Sequence, residues 1–158
     1  MAVDFSAFDA KMDPNLQDDV KNAKEYEDVP NGDYIVSVDK MEVKTTKAGD
    51  KLMFAVQMSI KENSDGSKSN QKGRKIFFNR VISGNRVSES WNDGKAIKSV
   101  ITWLDKLETD LIPEFVNYSD FAELVLDIFQ EIQGKVELDV TYKASDFNPV
   151  SINEVYDI

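Results

Sequence analysis

Basic side chains accompany aromatic ones in a single stretch of the chain, residues 40–98. This stretch holds 13 basic and 6 acidic side chains, whereas residues 1–39 hold 3 basic and 10 acidic, and residues 99–158 hold 3 basic and 13 acidic. Cationic side chains contact the phosphates of a nucleic acid, and aromatic rings stack on unpaired bases. The pattern therefore predicts a surface for single-stranded nucleic acid. A solvated, lysine-rich set of hairpins is the alternative interpretation.

The candidate binding residues are the cations and the aromatic residues of this stretch. The candidate phosphate contacts are Lys44, Lys47, Lys51, Lys72, Arg74, Lys75, Arg80 and Arg86, and the candidate stacking residues are Phe77, Phe78 and Trp91. Neighbours in a strand point to opposite faces, so one of Phe77 and Phe78 is expected in the core and the other in the binding groove. Alternation does not decide which. Trp91 either stacks on a base or caps one end of the fold.

The composition argues against an enzyme. The chain has no cysteine and no histidine, which excludes thiolate and imidazole metal sites and serine–histidine catalysis. Gly94-Lys95 resembles the end of a phosphate-binding loop, but Ala96 stands where serine or threonine is required. Asp33 with Glu42-Val43-Lys44 resembles a nuclease metal site, a spacing that is common by chance in a chain with 30% charged residues. The sequence predicts a non-catalytic protein without metal or cofactor.

The chain is expected to be soluble and cytoplasmic, because no signal peptide and no apolar run of about 20 residues is visible. Residues 1–29 are predicted to form an acidic leader, partly helical or mobile, and residues 30–158 a single domain. In the leader, apolar residues recur at three- and four-residue steps, which is typical of one helical stripe. The stripe consists of Phe5, Phe8, Met12, Leu16 and Val20.

Alternation and capping signals predict a mainly β protein with a helical insertion. Strands are expected at 34–43, 52–60, 74–82, 136–142 and 150–155. Two helices are expected between strands 3 and 4, one capped by Asp93 and the other capped by Ser119 and ended by Gly134. This order matches a five-stranded, OB-fold-like antiparallel barrel, whose binding surface is the face of strands 2 and 3 with the loops 1–2 and 4–5. That surface falls within the basic stretch.

Three motifs resemble a family of phage-encoded single-stranded DNA-binding proteins. They are Asp4-Phe5-Ser6, the segment 29–34 (VPNGDY) before the first strand and the segment 73–79 (GRKIFFN) in the third strand. The resemblance implies an OB-type fold and sequence-tolerant binding of single-stranded DNA in phage replication or recombination, in the host cytoplasm. It supplies no catalytic residue. Replication or recombination proteins are further expected partners, and the sequence leaves a homo-oligomer open. The alternative function is a protein-interaction module that binds a host or phage partner through its acidic surfaces.

Overall fold

The computed structural model describes residues 3–22, 28–88 and 90–158. Five strands and four helices follow one another in this part of the chain. The leader contains α1 and α2, and α3 and α4 lie between the third and fourth strands. The elements are α1 (Phe5–Asp9), α2 (Leu16–Asn22), β1 (Gly32–Thr45), β2 (Leu52–Asn63), β3 (Lys75–Val81), α3 (Asp93–Asp105), α4 (Tyr118–Ile132), β4 (Val136–Tyr142) and β5 (Val150–Asp157).

The five strands form one antiparallel sheet in the order β3-β2-β1-β4-β5. The prediction of a mainly β protein with helices between strands 3 and 4 is therefore confirmed. The predicted closure into a barrel is not found. Along the described strands, β3 and β5 are the two edges of the sheet and no ladder of backbone hydrogen bonds joins them.

A bulge in β1 changes which side chains face the core. Val38 pairs with Met58 and Lys40 pairs with Gln57, so Asp39 is left without a partner in the ladder. An extra residue shifts the alternation of the strand by one position. Even-numbered residues are buried before the bulge, as Val38 shows, whereas Met41 is buried after it. The side chains of Lys40, Glu42 and Lys44 consequently lie on the outer face of the sheet.

Helix α3 fills the gap between the two edge strands. The indole ring of Trp103 contacts the rings of Phe54 and Phe78, with centroids 5.9 and 5.5 Å away. Its Nε1 donates a hydrogen bond to the carbonyl oxygen of Val150 on β5 at 3.2 Å. Val150 is 1% exposed, so this bond serves a buried backbone acceptor. The two edges are thus linked through side chains rather than through a ladder.

Both insertion helices begin slightly earlier than predicted. The side chain of Asn92 caps α3 by accepting from the amide of Lys95, and Asn117 caps α4 in the same way. The predicted caps, Asp93 and Ser119, were wrong by one and two residues, because asparagines just upstream supply the oxygen. Asp93 instead accepts hydrogen bonds from the segment after β3. Gly134 follows α4 with a φ of 70°, as expected for the end of a helix.

The described part of the leader contributes nothing to the core. Its apolar stripe is exposed, with 72% of Phe5, 68% of Phe8 and 67% of Val20 accessible. Among the residues whose burial is described, Val29 is the first that is buried. Residues 1, 2 and 23–27, which the prediction also assigned to the leader, lie outside the described residues. No helix in the described ranges is long and apolar enough to cross a membrane.

Candidate nucleic-acid interface

One side of β1, β2 and β3 faces away from the core, and we call it the outer face. It carries a small surface of polar, basic and aromatic side chains. Its side chains meet in cross-strand rows, because Lys40 pairs with Gln57 and Gln57 with Phe77. The next row joins Glu42, Ala55 and Asn79 in the same way. A shallow depression of about 200 Å³ lies among them. Its lining residues are Lys40, Glu42, Lys44, Ala55, Val56, Gln57, Phe77 and Asn79.

The two neighbouring phenylalanines of β3 have opposite environments. Phe78 is 1% exposed and packs edge-on against Phe54 with ring centroids 6.0 Å apart. Phe77 is 51% exposed and lies on the outer face. The alternation of the strand places Lys75 and Asn79 on the same side as Phe77. The ambiguity between the two rings is therefore resolved, since only Phe77 is accessible to a ligand.

Lys75 also lies on the outer face, but its ammonium group already bonds to two side chains of the sheet. Its Nζ donates to Oδ2 of Asp39 at 2.9 Å and to the hydroxyl of Ser59. The Ser59 hydroxyl donates in turn to Asp39. Partial burial tends to raise the pKa of Asp39, but the hydrogen bonds from Ser59 and Lys75 and the charge of Lys75 outweigh it and lower the pKa. The bulge residue of β1 thus anchors a cation of β3.

The lowered pKa of Asp39 has a consequence for acid stability. A depressed carboxyl pKa contributes stability that is fully present above about pH 4 and is lost as the pH falls through the folded-state value. We expect Asp39→Asn to lose less unfolding free energy than the wild type between about pH 4 and pH 2. Urea denaturation at several pH values measures this, with Lys75→Gln as the partner variant. An acid response of Asp39→Asn as steep as that of the wild type would contradict the assignment.

Arg80 does not occupy the position predicted for a phosphate contact. It is 8% exposed, and its Nη2 donates to the carbonyl oxygen of Phe147 and to Oδ1 of Asn148, both at 2.9 Å. Burial lowers the pKa of its guanidinium. The guanidinium carbon lies 4.2 Å from the ring centroid of Phe147. Arg80 therefore holds the loop between β4 and β5 against the end of β3, because its alkyl stem and charge are enclosed by aromatic residues.

Trp91 belongs to the same aromatic cluster. Its ring packs edge-on against Phe147 at 4.9 Å and lies 5.5 Å from the guanidinium carbon of Arg80. Its Nε1 donates to Oδ1 of Asn85 at 3.2 Å. Trp91 thus packs at one end of the sheet with its ring half-buried, and its stacking on a base stays a prediction. Phe147 is 59% exposed and presents the accessible ring of this cluster.

The predicted phosphate contacts are spread over both ends of the outer face. Lys44, Lys47 and Lys51 are exposed at the end of β1 and in the loop that follows it. The side chain of Lys51 lies against Gly84, so this loop approaches the segment after β3, which also carries the exposed Arg86. At the other end, Lys72 is exposed, and Arg74 is half-buried and donates to Gln71 at 3.0 Å. Phe78 and Arg80 are withdrawn from the predicted set, because both are buried.

The predicted set left out three residues of the outer face, Lys40, Gln57 and Asn79, and one exposed ring beside Arg80, Phe147. Lys40 follows from alternation once the bulge at Asp39 is known, whereas Gln57 and Asn79 follow from the alternation of β2 and β3. Phe147 lies in the loop between β4 and β5, which the fold prediction had marked as part of the binding surface without naming a residue. An aromatic residue in that polar loop was the available signal.

The carboxylates that resembled a nuclease site are not brought together. Asp33 accepts a hydrogen bond from the hydroxyl of Thr141 at 2.7 Å, whereas Glu42 pairs with Lys40 at 3.5 Å. The two acids are nine residues apart on β1, about 30 Å at roughly 3.3 Å per residue. Within the described ranges, no group of three or more acidic residues is placed to hold a metal ion.

These features define a small antiparallel β-sheet protein with a helical insertion and a basic, aromatic outer face. The model of one family, described as a protein of unknown function (DUF669), matches residues 17–154. The matched range contains α2 except its first residue and all of the sheet except the end of β5. The chain belongs to the DUF669 family. No curated protein matches the chain.

Proposed function

We propose that this protein binds single-stranded DNA, without sequence preference and without catalysing a reaction, during phage DNA replication or recombination in the host cytoplasm. The observation that carries the proposal is the exposed ring of Phe77 on the outer face. A base stacks on such a ring, and stacking does not depend on base identity. The amide groups of Gln57 and Asn79 lie beside the ring, within reach of base edges or of the sugar-phosphate backbone.

Lysine side chains lie on the β1 side of the exposed Phe77 ring. Lys40 lies in the same cross-strand row as Phe77, and Lys44 lies two rows further along. Lys47 and Lys51 continue this series into the loop after β1. A strand of DNA that stacks on Phe77 would run past these lysines, which would contact its phosphates.

The charge distribution restricts binding to this part of the sheet. The strands on the other side of β1 carry the acidic residues Glu137, Asp139 and Glu154. Carboxylates repel phosphates, so DNA is expected to follow β1, β2 and β3 and to avoid β4 and β5. A sheet that is basic on one half and acidic on the other thus directs a polyanion along one path.

The arrangement of the strands is compatible with a partly open Greek-key barrel, the architecture of the OB-fold. Arg80 on β3 donates a hydrogen bond to Asn148, two residues before β5. Trp103 on α3 contacts Phe78 on β3 and donates a hydrogen bond to Val150 on β5. Binding surfaces of OB-folds use strands 2 and 3 with the loops 1–2 and 4–5. In this chain, those elements carry Phe77, the lysines after β1 and Phe147, which supports the proposal from the position of the strands and loops.

Titration of a fluorescent oligo-dT with the full chain tests the proposed function. We expect the logarithm of the binding constant to fall linearly with the logarithm of salt concentration, with a slope of about −0.7 per phosphate contacted. A duplex of equal length should bind more weakly, because its bases are not free to stack. A flat salt response or equal affinity for duplex would contradict the proposal. Absence of binding to either would favour the protein-interaction module instead.

A further inference from the structure

The described leader has the chemistry of a ligand for the outer face. Within residues 3–22 it carries five aspartates and two lysines, and its apolar side chains include two exposed phenylalanines. The aspartates are Asp4, Asp9, Asp13, Asp18 and Asp19. No leader side chain between Val3 and Lys21 is buried. An acidic chain with exposed aromatic rings shares with single-stranded DNA both its negative charge and its capacity to stack.

The leader enters the domain beside the proposed binding surface. Asp28 and Val29 line a second depression together with Arg74, Lys75, Ile76, Phe77 and Tyr142. Val29 is buried, so the root of the leader is fixed at this point. The width from β3 to β1 is about 10 Å at the usual strand spacing. Twenty residues upstream of Asp28 span about 30 Å even when fully helical, which is enough to cross the outer face.

We propose that the leader binds to the outer face of its own chain and competes there with single-stranded DNA. The part of this inference that concerns DNA rests on the proposed function, whereas the contact itself does not. Phe5 or Phe8 packs beside the ring of Phe77, and the aspartates lie near Lys40 and Lys44. The occupant follows from charge complementarity, because residues 40–98 are the basic part of the chain and the leader is acidic.

A tethered competitor acts at a high local concentration. A ligand tethered at short range has an effective concentration in the millimolar range, so even a weak contact occupies the face for much of the time. DNA displaces the leader by offering more phosphates than the leader has carboxylates. We expect leader occupancy to fall as salt rises, since both partners are charged.

Paramagnetic broadening tests the contact without using DNA. The chain has no cysteine, so Ala7→Cys provides a single attachment point for a nitroxide on α1. At low salt we expect strong broadening of the backbone amides of Gln57, Phe77 and Asn79, and its loss at high salt. A label at Glu123→Cys on α4 is the control and should leave these amides unchanged. Absence of broadening from Ala7→Cys would overturn the inference, and so would broadening seen only between separate labelled and isotope-enriched chains.

Charge removal in the leader tests the competition. The variant Asp9→Asn, Asp18→Asn, Asp19→Asn is expected to bind oligo-dT on the order of fivefold more tightly than a matched control, given a millimolar effective concentration. The control Asp105→Asn, Glu123→Gln, Asp127→Asn removes the same charge from exposed positions of α3 and α4. Equal affinity of the two variants would overturn the competition. If neither binds oligo-dT, the proposed function fails, and the spectra alone decide whether the leader contacts the outer face.

Discussion

Replacing Phe78 by alanine is expected to lower the free energy of unfolding by about 3–5 kcal/mol. The ring is 1% exposed and contacts Phe54 on β2 and Trp103 on α3. Its removal leaves a cavity where the sheet meets the helix that fills the gap between the edge strands. Because Trp103 also bridges to Val150, the surroundings have little freedom to collapse into that cavity. Urea denaturation followed by circular dichroism measures the loss.

The neighbouring residue provides the matched control. Phe77→Ala makes the same chemical change one position earlier in β3, where the ring is 51% exposed. Surface substitutions away from caps and networks usually change stability by less than about 0.5 kcal/mol. We therefore expect the two variants to differ by several kcal/mol. Equal destabilisation of both would show that Phe77 is also part of the packed fold, and would contradict the description of the outer face.

The positions of the strands were predictable from the sequence. For β1 and β3, the sequence did not show which side chains point to the core. In β3, both alternating sets mix cations with apolar residues, so neither set is recognisable as the core side. In β1, Asp39 has no partner in the ladder with β2, and this extra residue exchanges the buried and exposed positions of the strand after it. A bulge of this kind leaves no clear local signal in the sequence. Lys40 was therefore missed as a residue of the outer face, although the neighbouring Lys44 was found.

The burial of Arg80 depends on contacts between distant parts of the chain. Its guanidinium is held by Phe147 and Asn148, which lie 67 and 68 residues further on. Local periodicity contains no information about such a contact, and an arginine in a basic stretch of the chain is expected to be solvated. The same limit applies to closure of the sheet. The strand order was inferable, but the insertion of Trp103 between the edges was not.

The second large effect concerns affinity rather than stability. Phe77→Ala is expected to lose about 1–3 kcal/mol of binding free energy for oligo-dT, the usual contribution of one stacked base. The folded structure should be retained, since the ring contributes little to the core. Leu126→Ala is the matched control, because Leu126 is 46% exposed on α4 and lies outside the outer face. It removes a similar exposed apolar side chain and is expected to leave the affinity unchanged.

The most direct test of the outer face as a DNA-binding surface is a set of parallel oligo-dT titrations at one salt concentration. Fluorescence anisotropy of the labelled oligonucleotide is followed with the wild type, Phe77→Ala and Leu126→Ala. The account predicts that the dissociation constant rises between about fivefold and 150-fold for Phe77→Ala, the equivalent of the loss of one stacked base. It predicts no change for Leu126→Ala. Wild-type affinity in a folded Phe77→Ala variant would contradict the assignment of the outer face as the binding surface.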